Sequence, residues 1–158
     1  MRAILSFLLV CTMVSPVLAE KAEEIDPKAE AQRSFKDGLF WLQRSKYEKA
    51  QKKFAEAIDA QPKLAEAYNN YAYCARKVSA ENYEESLQYY NKALELKPTL
   101  AVAYQYRGCL HVLMGNKDLA IADYRKLVRL DRELASSLEV FIKTDGKTDK
   151  EDGFAVEY

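Results

Sequence analysis

The chain has 158 residues, 49% of them hydrophobic and 30% charged, with 24 basic and 24 acidic side chains that cancel. That profile fits one soluble domain. It excludes the basic stripe of a nucleic-acid binder and the cationic face that seeks an anionic membrane surface.

The first nineteen residues differ from all that follows. Arg2 precedes an apolar run from Ala3 to Val14, then Pro16, then Val17-Leu18-Ala19, with small or short side chains where a signal peptidase reads. This is the pattern of a secretory signal peptide cut after Ala19. A membrane anchor needs ~20 apolar residues to cross a ~30 Å hydrocarbon core, and this run is much shorter. A lipid anchor at Cys11 fits less well, because Val10 stands where a small residue is expected. The exported chain is expected to be periplasmic or secreted, and the absence of any Asn-x-Ser/Thr leans towards a bacterial source. Loss of Arg2 leaves 23 basic against 24 acidic side chains, a net charge of −1.

Residues 20–26 form an acidic leader with few large apolar side chains. Asp26-Pro27 then offers an N-cap followed by proline at the first helical position. A first helix is expected from Pro27 to Arg44, with Ala31, Phe35, Leu39 and Leu42 recurring at helical spacing. A second follows Ser45-Lys46 and stops before Pro62. The next pair begins near Leu64, turns over Val78 to Asn82, and ends at Pro98, since a residue before proline is pushed out of the α region. A third pair spans Thr99 to Leu130 and is broken at Gly115-Asn116, a turn dipeptide. Asp131 can cap a seventh helix over 132–142, in which Leu134, Leu138, Phe141 and Ile142 share one face. From Lys143 onward the chain is polar and charged, and residues 143–158 are expected to be disordered. The terminal Phe154-Ala155-Val156-Glu157-Tyr158 is an apolar patch on a charged tether, with the choice between docking motif, groove filler and inert end left open.

One segment organises this series. Tyr47 to Pro62 returns 36 residues later as Tyr83 to Pro98 and, more loosely, 34 residues after that as Lys117 to Arg132. A repeat of that length, built from helix pairs too small to bury their apolar faces alone, is the signature of a helical array. The residues at its fixed places resemble the tetratricopeptide repeat pattern: Gly38, Trp41, Ala50, Phe54, Ala57 and Pro62 in unit one, Tyr68, Ala72, Tyr90, Ala93 and Pro98 in unit two, and Tyr104, Gly108, Ala120 and Tyr124 in unit three. Ser86 and Leu127 stand where alanine is usual, and Arg132 replaces the closing proline.

The resemblance implies an all-α fold, a right-handed α-solenoid of three helix-turn-helix units (about 31–64, 65–100 and 101–132) plus a capping helix. Gly38, Ala72 and Gly108 would be small where paired helices approach most closely. Cys74 and Cys109 would lie on the first helices of adjacent units. A disulfide needs Cα atoms within ~7 Å whereas packed helix axes lie ~8–10 Å apart, so buried thiols are expected over a bridge.

The family's concave groove is lined by the first helix of each unit. Carried over by position, the partner-binding residues are Phe35, Leu39 and Leu42 in unit one, Asn69, Tyr73, Arg76 and Lys77 in unit two, and Gln105 in unit three. Asn69 and Gln105 would bond a peptide backbone, Arg76 and Lys77 would meet a carboxylate, and Phe35, Leu39 and Tyr73 would hold apolar side chains. Packing competes with binding for these aromatic and aliphatic residues. The carboxylate clamp of chaperone-binding members is not reproduced, because Phe35, Leu39, Val102 and Tyr106 occupy four of its five places and only Asn70 agrees. His111, the sole histidine, takes the place of Trp41 and is expected to pack. No phosphate loop, metal-spaced cysteine pair, calcium loop or activated nucleophile is present, so no enzyme activity and no cofactor are expected. The expectation is an exported, non-enzymatic adaptor that binds a protein or peptide partner, without nucleic acid or a membrane span. The alternative is a self-associating structural component, with homo-oligomers possible.

Overall fold

A computed structural model describes residues 26–147 of the chain. The expected signal peptide, most of the acidic leader and the segment 148–158 lie outside the described residues. Within them the chain forms seven α-helices: α1 (Pro27–Leu42), α2 (Tyr47–Ala60), α3 (Ala65–Val78), α4 (Tyr83–Leu96), α5 (Ala101–Leu113), α6 (Lys117–Leu130) and α7 (Arg132–Lys143). Consecutive helices pack as antiparallel pairs, α1 on α2, α3 on α4 and α5 on α6, and α7 closes against both α5 and α6. The described fold is all-α and solenoidal, as the repeat implies.

The helix ends explain the boundaries. Asp26 accepts a hydrogen bond from the Lys28 backbone N–H, and Pro27 fills the first helical position where no donor is needed. Asp131 accepts from both Glu133 N and Leu134 N, which satisfies two orphan donors of α7. At the other end, α1 stops at Leu42, two residues before the expected Arg44, because Ser45 turns left-handed at φ 52°. Lys46 N then bonds Trp41 O at 3.0 Å and Ser45 N bonds Leu42 O at 2.9 Å, a Schellman closure. The same closure recurs after α5, where Gly115 takes φ 78°, and after α7, where Asp145 takes φ 52°. It carries α7 to Lys143 and folds 144–146 back, with Gly146 beside Phe141 and Leu113.

Unit two solves the same problem differently. Its turn has two extra residues and contains a 3-10 turn at Ala80–Asn82, with no left-handed residue. The Asn82 side-chain amide donates to the Ala75 carbonyl at 3.1 Å, so a side chain satisfies an end of α3 that backbone N–H groups satisfy elsewhere. Between units the connections are near copies. Gln61 N bonds Ala57 O and Leu64 N bonds Gln61 O, and Lys97, Ala93 and Leu100 repeat the pattern. A tyrosine from the next helix braces each: Tyr68 donates to the Pro62 carbonyl and Tyr104 to the Pro98 carbonyl, both at 3.2 Å. These tyrosines, like Tyr124, are half-buried, while Tyr90 alone of the four repeat tyrosines is fully buried.

The core comprises one cluster from Leu42 and Phe54 through Tyr73 and Tyr90 to Tyr106 and Leu110, a second from Cys109 and Leu127 to Leu138 and Phe141, and a small third of Ala93, Leu94 and Ala103. Small residues set how close the helices come. A Cβ on Gly38 would lie 2.6 Å from the Phe54 ring, so this glycine admits the aromatic wedge of its own unit. Gly108 has a different neighbour from the one expected. Its Cβ would lie 2.6 Å from Leu138 of α7 and 3.4 Å from Asp123 of α6, so the capping helix makes the stronger demand. Cys74 and Cys109 are buried and free, and burial pushes the Cys74 thiol up to about 12, far from thiolate chemistry at neutral pH.

A polar seam joins α4, α5 and α6. Arg107 makes a bidentate pair with Asp123 at 2.6 and 3.0 Å and donates to Asn91 at 2.7 Å. One turn along α5, His111 is buried, and its Nδ1 has no hydrogen-bond partner. Burial holds its pKa below the ordinary 6.5, with nearby Arg107 acting the same way and Asp123 opposing.

Two outcomes follow from these contacts. Gly38→Ala should cost about 1–3 kcal/mol of stability, read as a lowered midpoint in urea, because the Phe54 ring must leave its place. His111 binds its proton more weakly folded than unfolded, so its contribution to stability is full above pH 6.5 and is lost as the pH falls through the lower folded value. Unfolding midpoints taken between about pH 7 and pH 5 should therefore fall, and His111→Phe should flatten that slope. An unchanged slope in the variant would refute the assignment.

Candidate functional site

Because one antiparallel helix separates each of them, α1, α3 and α5 run in the same direction and present equivalent positions side by side. Phe35, Asn69 and Gln105 are one such row, spaced 34 and 36 residues apart. At the unit-one end, Phe35 is half-buried with its ring 5.5 Å from Phe54, Leu39 is half-buried on the same cluster, and Leu42 is buried within it. These three therefore join the face to the core.

The middle of the face is more elaborate than a row of polar positions. Tyr73 is 7% exposed and sits between Tyr47 and Tyr106, at centroid distances of 6.3 and 5.0 Å. Arg76, 6% exposed, donates from Nε to the Tyr90 hydroxyl at 3.3 Å. Its guanidinium lies 4.9 Å from the Tyr73 ring centroid and 5.8 Å from that of Tyr106. Lys77 places its ammonium 5.8 Å from the Tyr47 centroid. All these distances fall within cation–π range. The structure thus brings Tyr73, Arg76 and Lys77 together in a cationic cluster framed by Tyr47, Tyr90 and Tyr106. Burial raises the Tyr90 hydroxyl well above the usual tyrosine range, so it stays protonated beside the guanidinium.

Of the framing tyrosines, sequence reasoning placed Tyr90 only in the scaffold and Tyr106 only as a mismatch to the carboxylate clamp. A signal existed for Tyr90: a buried tyrosine hydroxyl needs a polar partner, and Arg76 is close by on the helix that pairs with its own. Tyr106 stands where unit two has Asn70, so periodicity could not have found it.

Asn69 and Gln105 form the second part of the site. Asn69 is 3% exposed and donates to Asn70 Oδ1 at 3.2 Å, leaving its own Oδ1 without a partner. Gln105 has no exposed surface, and neither Nε2 nor Oε1 is hydrogen-bonded. An unmet buried amide costs roughly 1–3 kcal/mol, so apolar residues would serve a pure core better. Asn69 and Gln105 stand at equivalent places on α3 and α5, so both helices keep amide groups there that no described residue satisfies.

Among the described residues no three of His, Cys, Asp and Glu converge as a metal site would require. No described helix is long and apolar enough to cross a membrane. What the arrangement offers is recognition: amides for a backbone, cations for an anionic group, and aromatic and aliphatic walls for apolar side chains.

Comparison with known proteins agrees with the fold. The family model for the tetratricopeptide repeat matches residues 65–100 and 101–134. No curated protein matches the chain. Among solved structures, the Arabidopsis OM64 TPR domain is 20% identical over 75% of this chain and 98% of that one, with a TM-score of 0.69. The first TPR of Spaghetti (RPAP3), bound to an HSP90 peptide, is 19% identical over 74% and 93%, with a TM-score of 0.68. PcrH in complex with the chaperone-binding region of PopD is 18% identical over 72% and 89%, with a TM-score of 0.65. At these identities the structural likeness speaks for the fold, which α1 and α2 extend to a helix pair ahead of the matched repeats. Residues 65–134 are thus two matched tetratricopeptide repeats, set in a stack of paired helices that adds one pair before them and a capping helix after.

Proposed function

We propose that this chain is a non-enzymatic adaptor that works after export, in the periplasm or as a secreted protein, and binds a peptide segment or helix of another protein on the face of α1, α3 and α5. The buried amides of Asn69 and Gln105 carry this reading, because unmet hydrogen-bonding groups beside a cationic cluster are a cost to folding that a bound backbone would relieve. The related folds solved with an HSP90 peptide and with a segment of PopD support it by analogy. Export rests on the pattern of residues 1–19.

The chain is expected to act by positioning its partner. Capture from the exported fraction, followed by identification of the retained protein, should succeed with the wild-type chain as bait. It should fall at least about tenfold with Asn69→Ala, Lys77→Ala and Gln105→Ala combined, the loss of about 1.4 kcal/mol that removal of a few hydrogen bonds and a charge produces. Leu119→Ser, on the exposed side of α6, should capture as well as wild type. Undiminished capture by the triple variant would remove this face from the account. A second reading, self-association, draws on Leu119, Leu130 and Val140, all exposed on α6 and α7. Sedimentation should show a monomer at about micromolar concentration, where a dimer with a standard interface would persist.

A further inference from the structure

We propose that the face of α1, α3 and α5 is occupied in cis by the chain's own segment 148–158, which a partner must displace. This rests on the reading of that face as a peptide-binding surface. Three observations converge on the segment.

The first is charge. Residues 148–158 carry Asp149, Glu151, Asp152 and Glu157 against Lys150 alone. Arg76 and Lys77 bring two positive charges to the last turn of α3, one of them almost wholly buried. An acidic strand is attracted to that cluster, and the low local polarity strengthens the attraction.

The second is pattern. Phe154, Val156 and Tyr158 alternate with Ala155 and Glu157. In an extended conformation successive side chains point to opposite sides, so the three large groups share one side. That side suits the half-buried Phe35, Leu39 and Tyr47, which pack over the core cluster, while the backbone between them brings donors and acceptors towards Asn69 Oδ1 and both amide atoms of Gln105, which have none among the described residues.

The third is reach. The turn after α7 sets Gly146 against Leu113, the last residue of α5, so the described chain ends beside the last turn of a face helix. Parallel α3 puts Arg76 and Lys77 in its own last turn, one packed helix away, or ~8–10 Å. Residues 148–154 alone can span roughly 23 Å extended, more than that crossing requires.

A tethered segment competes at an effective concentration of about a millimolar, so one that binds with a Kd of about 0.1 mM weakens a rival peptide about tenfold. The face is then held closed to weak ligands and open to a partner that binds well.

The test uses the full chain with Phe154→Ala, Val156→Ala and Glu157→Gln combined, all beyond the seven helices, and thermal unfolding to verify that the fold is retained. A fluorescent peptide with the sequence of residues 148–158 is titrated into both chains, and the side-chain amide resonances of Asn69 and Gln105 are recorded by NMR. The proposal expects those resonances to move in the variant, and the peptide to bind the variant about tenfold more tightly than wild type. Equal affinity for both chains overturns it while leaving the face able to bind peptides. Failure to bind either chain, with unmoved resonances, overturns it as well, and capture of a partner then judges the adaptor reading separately.

Discussion

A helix of about fourteen residues that is apolar on more than one side needs more than one neighbour. In this chain that need governs everything else. Phe54 fills the gap in its own pair only because Gly38 yields the room, and the pair it completes still leaves Leu42 and Ala50 in contact with the next unit. Each pair therefore stabilises its neighbour and is stabilised by it, as expected for a quasi-one-dimensional stack. The series ends where α7 offers a buried face of Ala135, Leu138, Phe141 and Ile142 and an exposed face with Arg132, Glu133 and Ser136.

This arrangement separates scaffold from site. The second helices supply Ala50, Phe54, Ala57, Tyr90 and Ala93, all fully buried and all at places fixed by the repeat. The first helices share the packing, and at equivalent places along them the residues differ from unit to unit: Phe35, then Asn69, then Gln105. The two functions meet at Arg76, which stands on the face yet is anchored to the scaffold through the Tyr90 hydroxyl. Such an anchor fixes a charge in place, which would lower the ordering cost of any ligand bound there.

The legible part of the fold was the part that the repeat dictates. Helix pairing, the Asp26 and Asp131 caps and the free cysteines all follow from local chemistry or from spacing, and they stand in the structure as expected. The end of α1 was harder, because a left-handed Ser45 has no glycine to announce it, and at α7 the Asp145-Gly146 turn pair lies in a stretch whose polar composition masked it. Gly108 misled for a related reason: the period assigned it to its own unit, whereas the capping helix, which has no counterpart in the repeat, presses on it hardest. At the candidate site, positions carried over from the family named residues of α1, α3 and α5 but did not give their surroundings. Burial of Arg76 among tyrosines depends on Tyr106, a residue peculiar to unit three, and non-periodic contacts of that kind cannot be read from periodicity.

The contact between Gly108 and Leu138 bears on how such a chain can change length. In an indefinitely extensible array each unit would accept any successor. Here α5 meets α7 through a gap sized for one leucine branch, so the third unit is fitted to the capping helix at that point. An additional repeat placed directly before α7 would have to present that helix with another small residue at the same point. Duplication further upstream, between two units joined by the interchangeable Pro62-type and Pro98-type connections, meets no such demand. The array is thus modular in its interior and specialised at its end, and growth by whole units would be confined to the region before α5.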